Sequence, residues 1–225
     1  AIFSLEMSKE QLVNRLFSLE SYVDAQLLRT GNLKDSDWEK LIEGAGTIGR
    51  SNLIIDDTPG ISISEMRSKC RKYKMEHNLE LIIIDYLQLC DMNTGQKNRN
   101  REQEVAQATR KAKLLAKELN VPVVLLCQLN RESEGRPGGR PELFHLRESG
   151  AIEQDADVVM LLYRPALARL TTDRESGYPT EGLGVVIVAK QRNGETGNAY
   201  FSHNPSLTKI TDYTPPLEVL LKQAK

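Results

Sequence analysis

Cysteine is scarce in this chain. Three occur in 225 residues, Cys70, Cys90 and Cys127, far apart and with no C-x-x-C pair. That excludes a disulfide-stapled scaffold. The three histidines, His77, His145 and His203, are not spaced as ligand pairs with them, which argues against a zinc site. The cysteines read as reduced thiols of a cytosolic protein, packed as small hydrophobes. Charge of one sign is also missing: 30 Lys+Arg against 31 Asp+Glu leave a net charge of −1. Binding to nucleic acid would then need local clustering rather than an overall field. No apolar run approaches the length of a membrane span and no signal peptide opens the chain, so the expected location is the cytoplasm. There is no internal repeat. The chain opens on Ala-Ile-Phe, without methionine and already inside an apolar run, so its first element reads as cut near its start.

What is present is an alternation of apolar runs and helical patterns. AIFSLE (1–6) predicts a strand, followed by Ser8 as N-cap with Gln11 three residues on. The helix it opens carries Leu12, Val13, Leu16 and Leu19 on one face. Helical stretches over about 22–29 and 36–47 lead to a second strand, NLIIDD (52–57), and TPG (58–60) turns the chain. Ser62 and Glu65 form a capping box for a helix through His77, and ELIIID (80–85) is the third strand. After a polar loop (91–100), a helix over roughly 101–119 runs through Asn120 into VPVVLLCQ (121–128). A loop rich in Gly, Pro and Arg spans 131–150. DVVMLLY (157–163), an irregular stretch (165–182), LGVVIVAKQ (183–191) and a last pair, NAYFSHN and SLTKIT, complete the pattern. Continuous Val/Ile/Leu strands separated by helices predict one α/β domain over 1–225, built on a mostly parallel, twisted sheet covered by helices on both faces. An antiparallel hairpin turned through RNGETG is expected at its C-terminal edge, with 214–225 a terminal helix or linker remnant.

In open parallel sheets, ligands sit beyond the carboxyl ends of the strands. Polar groups gather at such ends here: Glu6, Asp56 with Asp57, Asp85, Gln128, and Lys190 with Arg192. Any one alone reads as a solvated strand end; the set is harder to dismiss. Four apolar residues ending in Asp85 make a Walker B pattern, whose carboxylate holds Mg²⁺ beside a nucleoside triphosphate, often through water. Glu6 suits general-base activation of a water in the same crevice, and the Gln128 amide can orient that water or sense a γ-phosphate. A phosphate-cradling G-x-x-x-x-G-K-[ST] loop should accompany them. The near-match GAGTIGRS (44–51) has Arg50 in the lysine's place, follows a helical stretch and precedes a strand. It is rejected, its glycines being expected to end a helix and turn the chain. The phosphate loop is expected before Ala1.

Two clusters point toward phosphodiester backbones and neighbouring subunits. Arg147, Glu148 and Gly150 in FHLRESGAIEQDAD are predicted in a loop directly before a strand, where glycine lets the backbone approach a phosphate. The same composition fits an ordinary charged surface loop. Lys97, Arg99 and Arg101 form a second basic candidate. Neither is interleaved with aromatics, so base stacking is not indicated. Lys190 and Arg192 alternate at a strand end and are expected to project to one face, from which an arginine can reach a neighbour's γ-phosphate. Spacing alone serves equally well for two solvated bases flanking a hairpin.

IFSLEM, DDTPG, IIIDYLQL, REQEVAQATRKAKLLAKELNVPVVLLCQLNR, LRESGAIEQDAD and AKQRNG occur in the order seen in the C-terminal motor domain of DnaB-type replicative helicases. The chain resembles that domain from residue 1 to about 213. The resemblance implies a RecA-like P-loop NTPase core within a homohexameric ring that uses ATP and Mg²⁺ to move along single-stranded DNA. It also implies a primase and a helicase loader as partners. Residue by residue, it implies Glu6 as catalytic carboxylate, Asp85 as the Mg²⁺-linked aspartate and Gln128 as γ-phosphate sensor. Lys190 and Arg192 match the pair that reaches the adjacent subunit, and Arg147, Glu148 and Gly150 match the loop touching the DNA backbone. Departures are modest: Ser8 stands where proline is common, Cys127 and Ala151 where serine is. The family's Walker A loop, N-terminal helical domain and linker helix have no counterpart here, so this fragment alone is expected to be inactive. Two other readings compete: a RecA/RadA-like recombinase ATPase, and a non-catalytic module for single-stranded DNA binding or oligomerisation.

Overall fold

The computed structural model describes residues 1–90, 101–130 and 139–223. The elements run β1 Ile2–Ser4, α1 Lys9–Ser21, α2 Ala25–Thr30, α3 Asp35–Gly49, β2 Ile55–Asp56, α4 Ile63–His77, β3 Ile82–Asp85 and α5 Arg101–Leu119. There follow β4 Val123–Leu125, α6 Gly150–Asp155, β5 Val158–Tyr163, β6 Leu183–Gln191, β7 Gly197–Asn204, β8 Lys209–Asp212 and α7 Leu217–Gln223. They form two compact units, Ala1–Gln128 with Glu148–Ala156, and Leu129–Arg147 with Asp157–Lys225.

The first unit is helix-on-sheet. Both predicted capping boxes form: the Ser8 hydroxyl accepts from the Gln11 N–H while the Gln11 side chain accepts from the Ser8 N–H, and Ser62 with Glu65 repeats this for α4. Helix α4 buries Ile63, Met66 and Cys70, and α5 buries Val105, Ala108, Ala112 and Leu115. Those spacings of three and four lay one apolar stripe of each helix on the sheet. The stripes enclose Phe3, Ile82 and Ile84, all fully buried, each contributing about 1.5–3 kcal/mol. Glu118 of α5 binds both Arg67 and Arg71 of α4. The sheet is parallel, in the order β2-β1-β3-β4. β2 covers only Ile55–Asp56 of the predicted 52–57.

Helix α1 differs from expectation in its packing face. Leu12, Val13 and Leu16 are half-buried and Leu19 is exposed, whereas Ser18 and Ser21 are buried. Small residues win there because α3 approaches closely: a Cβ on Gly44 would lie 3.4 Å from Ser21 Cβ. GAGTIGRS therefore does not end a helix at its first glycine. Gly44 and Gly46 lie inside α3, and Gly49 is its last residue. A glycine stretch consumed by helix packing is not a phosphate loop, so the rejection stands.

The second unit carries an antiparallel sheet, β5-β6-β7-β8, wider than the predicted hairpin. The apolar run of β5 gives no hint of direction, and it pairs antiparallel with β6. Its burial alternates, with Val159, Leu161 and Tyr163 buried and Val158, Met160 and Leu162 exposed. That is the signature of a strand covered on one face. Gly184 of β6 stands opposite Phe201 of β7. The irregular stretch 165–182 is tied down by Arg140, which reaches Glu175 and Asn198 and lies over the Tyr163 ring. Within that stretch the buried Asp173 accepts from the Ser176 N–H and hydroxyl. Among the described residues no helix is long and apolar enough to cross a membrane.

Candidate active site

The parallel sheet has one place where its connections diverge. From β1 the chain passes outward to β2, and from the neighbouring β3 it passes the other way to β4. A crevice opens beyond the carboxyl ends of two such strands, which is where open α/β sheets bind ligands. The register aligns Ser4 with Asp85, and the Leu5 N–H donates to the Asp85 carbonyl at 2.7 Å. Glu6 follows β1 by two residues, and Asp85 is the last residue of β3. On the far side of β3, Ile84 aligns with Leu125 and the Leu126 N–H donates to the Ile84 carbonyl at 3.0 Å. The Gln128 carbonyl accepts from the Gln88 side chain at 3.4 Å. Glu6, Asp85 and Gln128, named from sequence as separate strand ends, thus lie beyond the same edge of three adjacent strands.

The turn bearing Glu6 is built from local sequence and fixed by distant groups. Ser4, nearly fully buried, donates its hydroxyl to the Met7 carbonyl at 2.7 Å, closing the turn across residues 4–7. The capping box begins at Ser8. The next N–H, that of Lys9, donates to the Asp57 carboxylate at 2.9 Å. Asp57's neighbour Asp56 accepts from the Thr58 N–H and hydroxyl and from Lys69 of α4, the last at 2.6 Å. Burial works against ionisation of Asp56, but the bonds from Lys69 and Thr58 outweigh it and hold its carboxyl below the ordinary range. The sequence marked Asp56 and Asp57 only as strand-end acids; here both bind neighbouring segments, a role set by partners 13 and 48 residues away.

Electrostatically the crevice leaves its acids available. Among the described residues, the carboxylates of Glu6 and Asp85 have neither a hydrogen-bond nor an ion-pair partner; Glu6 is exposed and Asp85 half-buried. No group of three or more His, Cys, Asp or Glu among the described residues could cage a metal. The donor set instead fits Mg²⁺ bound through one carboxylate with substrate phosphates and water, the habit of that ion. Next to Gln128, burial and then the neighbouring Cys90 push the Cys127 thiol up to about 12. It stays protonated and takes no nucleophilic part.

In the second unit, Lys190 lies in β6 opposite Val159, where the register shifts by one residue. Arg192 departs from expectation: it stands one residue past β6, in the following turn, so a shared strand face is not what places the pair. Its backbone N–H donates to the Asp157 carbonyl at 2.8 Å, and its guanidinium meets the Asp157 carboxylate at 3.2 Å. Both side chains are about half exposed, 51% and 57%. Asp157 was missed by sequence reasoning. The predicted loop around Arg147, Glu148 and Gly150 is helical instead, a 3₁₀ segment over Leu143–Ser149 leading into α6 at Gly150. Pairing of the Glu142 N–H with the buried His145 ring starts it. Lys97 and Arg99 lie outside the described residues.

Comparison with known proteins adds the following. The family model described as DnaB-like helicase C terminal domain matches residues 1–212. Replicative DNA helicase DnaC of Bacillus subtilis (strain 168) is 48% identical over 197 residues, 88% of this chain and 42% of that protein. Replicative DNA helicase DnaB of Geobacillus stearothermophilus is 46% identical over 212 residues, 94% and 45% of the two chains. The chain spans less than half the length of these curated relatives. Among solved structures, one described as an ATPase domain matches with a TM-score of 0.85 at 34% identity, covering 95% of this chain and 74% of that one. A DnaB-like replicative helicase described with its interactions with primase matches with the same TM-score, 0.85, at 32% identity, covering 95% and 50%.

Proposed function

The chain belongs to the family of DnaB-like helicase C-terminal domains, and from that premise we propose that it is the ATP-hydrolysing motor of a replicative DNA helicase. The observation that supports the reading is the adjacency of the carboxyl ends of β1 and β3, which carry Glu6 and Asp85, both carboxylates without a hydrogen-bond or ion-pair partner among the described residues. Glu6 is the general base: exposed and, among the described residues, unpaired, it accepts a proton from the water that attacks the γ-phosphate. Asp85 holds Mg²⁺, which when bound neutralises phosphate charge and orients the triphosphate. Gln128, beyond β4, positions the attacking water and senses the γ-phosphate.

Lys190 and Arg192 act in trans on a nucleotide held by the adjacent subunit of a hexameric ring. For Arg192 to do so, its guanidinium exchanges Asp157 for phosphate oxygens, an exchange that half exposure on both sides makes easy. An arginine finger of this kind is worth about 10³–10⁵ in rate. Arg147, Glu148 and Gly150, with Lys97 and Arg99, contact the backbone of single-stranded DNA in the ring's channel, giving sequence-independent, salt-sensitive binding. Loss of the γ-phosphate shifts subunits relative to each other and carries those segments along the strand. A relative of solved structure described with primase supports primase as a partner; a helicase loader completes the proposed set, in the cytoplasm.

The test is Glu6→Gln in the full-length protein. It should keep nucleotide and DNA binding while ATP turnover falls by about 10²–10⁴. Because the Glu6 side chain is exposed and has no hydrogen-bond or ion-pair partner among the described residues, the melting temperature should not move. Turnover close to wild type would remove Glu6 as the base.

A further inference from the structure

We propose that Asp57 is a positioning residue for the Glu6 carboxylate; the inference rests on Glu6 being the general base. Glu6 sits in a turn, and among the described residues its side chain has no hydrogen-bond or ion-pair partner, so its backbone is what the structure holds in place. That backbone is held on both flanks. Upstream, the Leu5 N–H is bonded to the Asp85 carbonyl at 2.7 Å, and the Ser4 hydroxyl to the Met7 carbonyl at 2.7 Å. Downstream, the anchor outside the turn's own segment is the Asp57 carboxylate, bonded to the Lys9 N–H at 2.9 Å.

Lys9 is the first residue of α1, and its N–H is one of those a helix leaves without an internal partner. A carboxylate there is favoured twice, by the charge-assisted bond and by the positive end of the helix dipole. Asp57 itself cannot drift, because Asp56 beside it is pinned to Lys69 and Thr58. The chain of contacts therefore runs from α4 through the end of β2 to the start of α1, and so to Glu6. Without it, α1 keeps its capping box and its packing on α3, but the turn loses its lateral tether. Misplacement of a general base by about 1 Å is enough to cost about 10²-fold in rate.

Asp57→Ala removes the acceptor, whereas Asp57→Asn keeps a side-chain oxygen at the same reach. In the full-length protein, Asp57→Ala should lower kcat by about 10–100-fold with the KM for ATP within about twofold of wild type, the mark of a group felt only in the transition state. Asp57→Asn should stay within about threefold of wild type in both. Amide hydrogen exchange at Lys9 should quicken in the alanine variant and not in the asparagine one. Unchanged kcat in Asp57→Ala, a matching rise in KM, or equal damage in Asp57→Asn overturns the proposal. Glu6→Gln measured alongside separates the two claims. If it is inactive while Asp57→Ala is normal, Asp57 alone loses its role; if it turns over normally, the base assignment falls and the role of Asp57 with it.

Discussion

Replacing Gly184 by alanine tests how tightly the antiparallel sheet is closed. A Cβ at 184 would lie 2.1 Å from Cζ, 2.2 Å from Cε2 and 2.8 Å from Cε1 of Phe201, the residue directly across the ladder. Carbon atoms rest about 3.5–4.0 Å apart, so the ring must withdraw by more than about 1 Å and give up its seat over the glycine. Forcing in a methyl of this kind costs about 1–3 kcal/mol. Alanine's smaller loss of backbone freedom returns about 0.5–1 kcal/mol. The net destabilisation lies between about 0 and 2.5 kcal/mol, and its midpoint, slightly above 1 kcal/mol, lowers the melting temperature of a chain of this size by about 2–5 °C. Thermal unfolding followed by circular dichroism reads this directly. Phe201→Leu removes the atoms in conflict, so the two changes together should cost less than their sum, with a coupling of about 1 kcal/mol in a double-mutant cycle. A Gly184→Ala protein that melts at or above the wild-type temperature, or a pair whose costs simply add, would refute the reasoning.

Two further expectations concern charged groups. If Arg192 acts in trans as proposed, Arg192→Ala subunits mixed with wild-type full-length protein should lower ATPase activity more steeply than dilution alone; strictly proportional loss would show that Arg192 acts within its own subunit or not at all. For the Asp56–Lys69 pair the pH dependence has a definite sign. The Asp56 carboxyl is held below its ordinary 3.8, so its contribution is complete above that value and fades as pH falls through the lowered one. The Asp56 bond lifts the Lys69 ammonium above its ordinary 10.5, so that side fades only as pH rises through the lifted value. The melting-temperature gap between wild type and Lys69→Met should therefore stay level from about pH 5 to 10 and close at both ends. With Lys69 more than a third exposed, the plateau should be about 1 kcal/mol or less.

Local signals were legible in the sequence and long-range ones were not. Both capping boxes, Ser8 with Gln11 and Ser62 with Glu65, depend on residues three apart and form as expected. The strand ends bearing Glu6, Asp85 and Gln128 were likewise marked by apolar runs giving way to polar residues. Asp57 at the start of α1 and Asp157 beside Arg192 are pairings across folded space, and no periodicity announces them. Gly44 misled because a glycine reads as a helix end, whereas here it admits Ser21 of the packed helix. The stretch around Arg147 and Gly150 misled for a similar reason: Gly150 opens α6, and a 3₁₀ segment before it has no strong pattern of its own.

The pairing of Ser4 with Asp85 also bears on how the protein comes into being. The two halves of the crevice are laid down at opposite ends of a long stretch of chain, with three helices, β2 and a fourth helix made in between. Contacts of such sequence separation form late, since loop closure must be met before they stabilise anything. During synthesis Glu6 leaves the ribosome ahead of both strands that flank β1, and even when β2 has emerged to pair on one side, the side facing the crevice waits for β3. A nascent chain stalled ahead of β3 carries the proposed general base but no crevice, and the proposed catalytic edge appears only when β3 slots in beside β1.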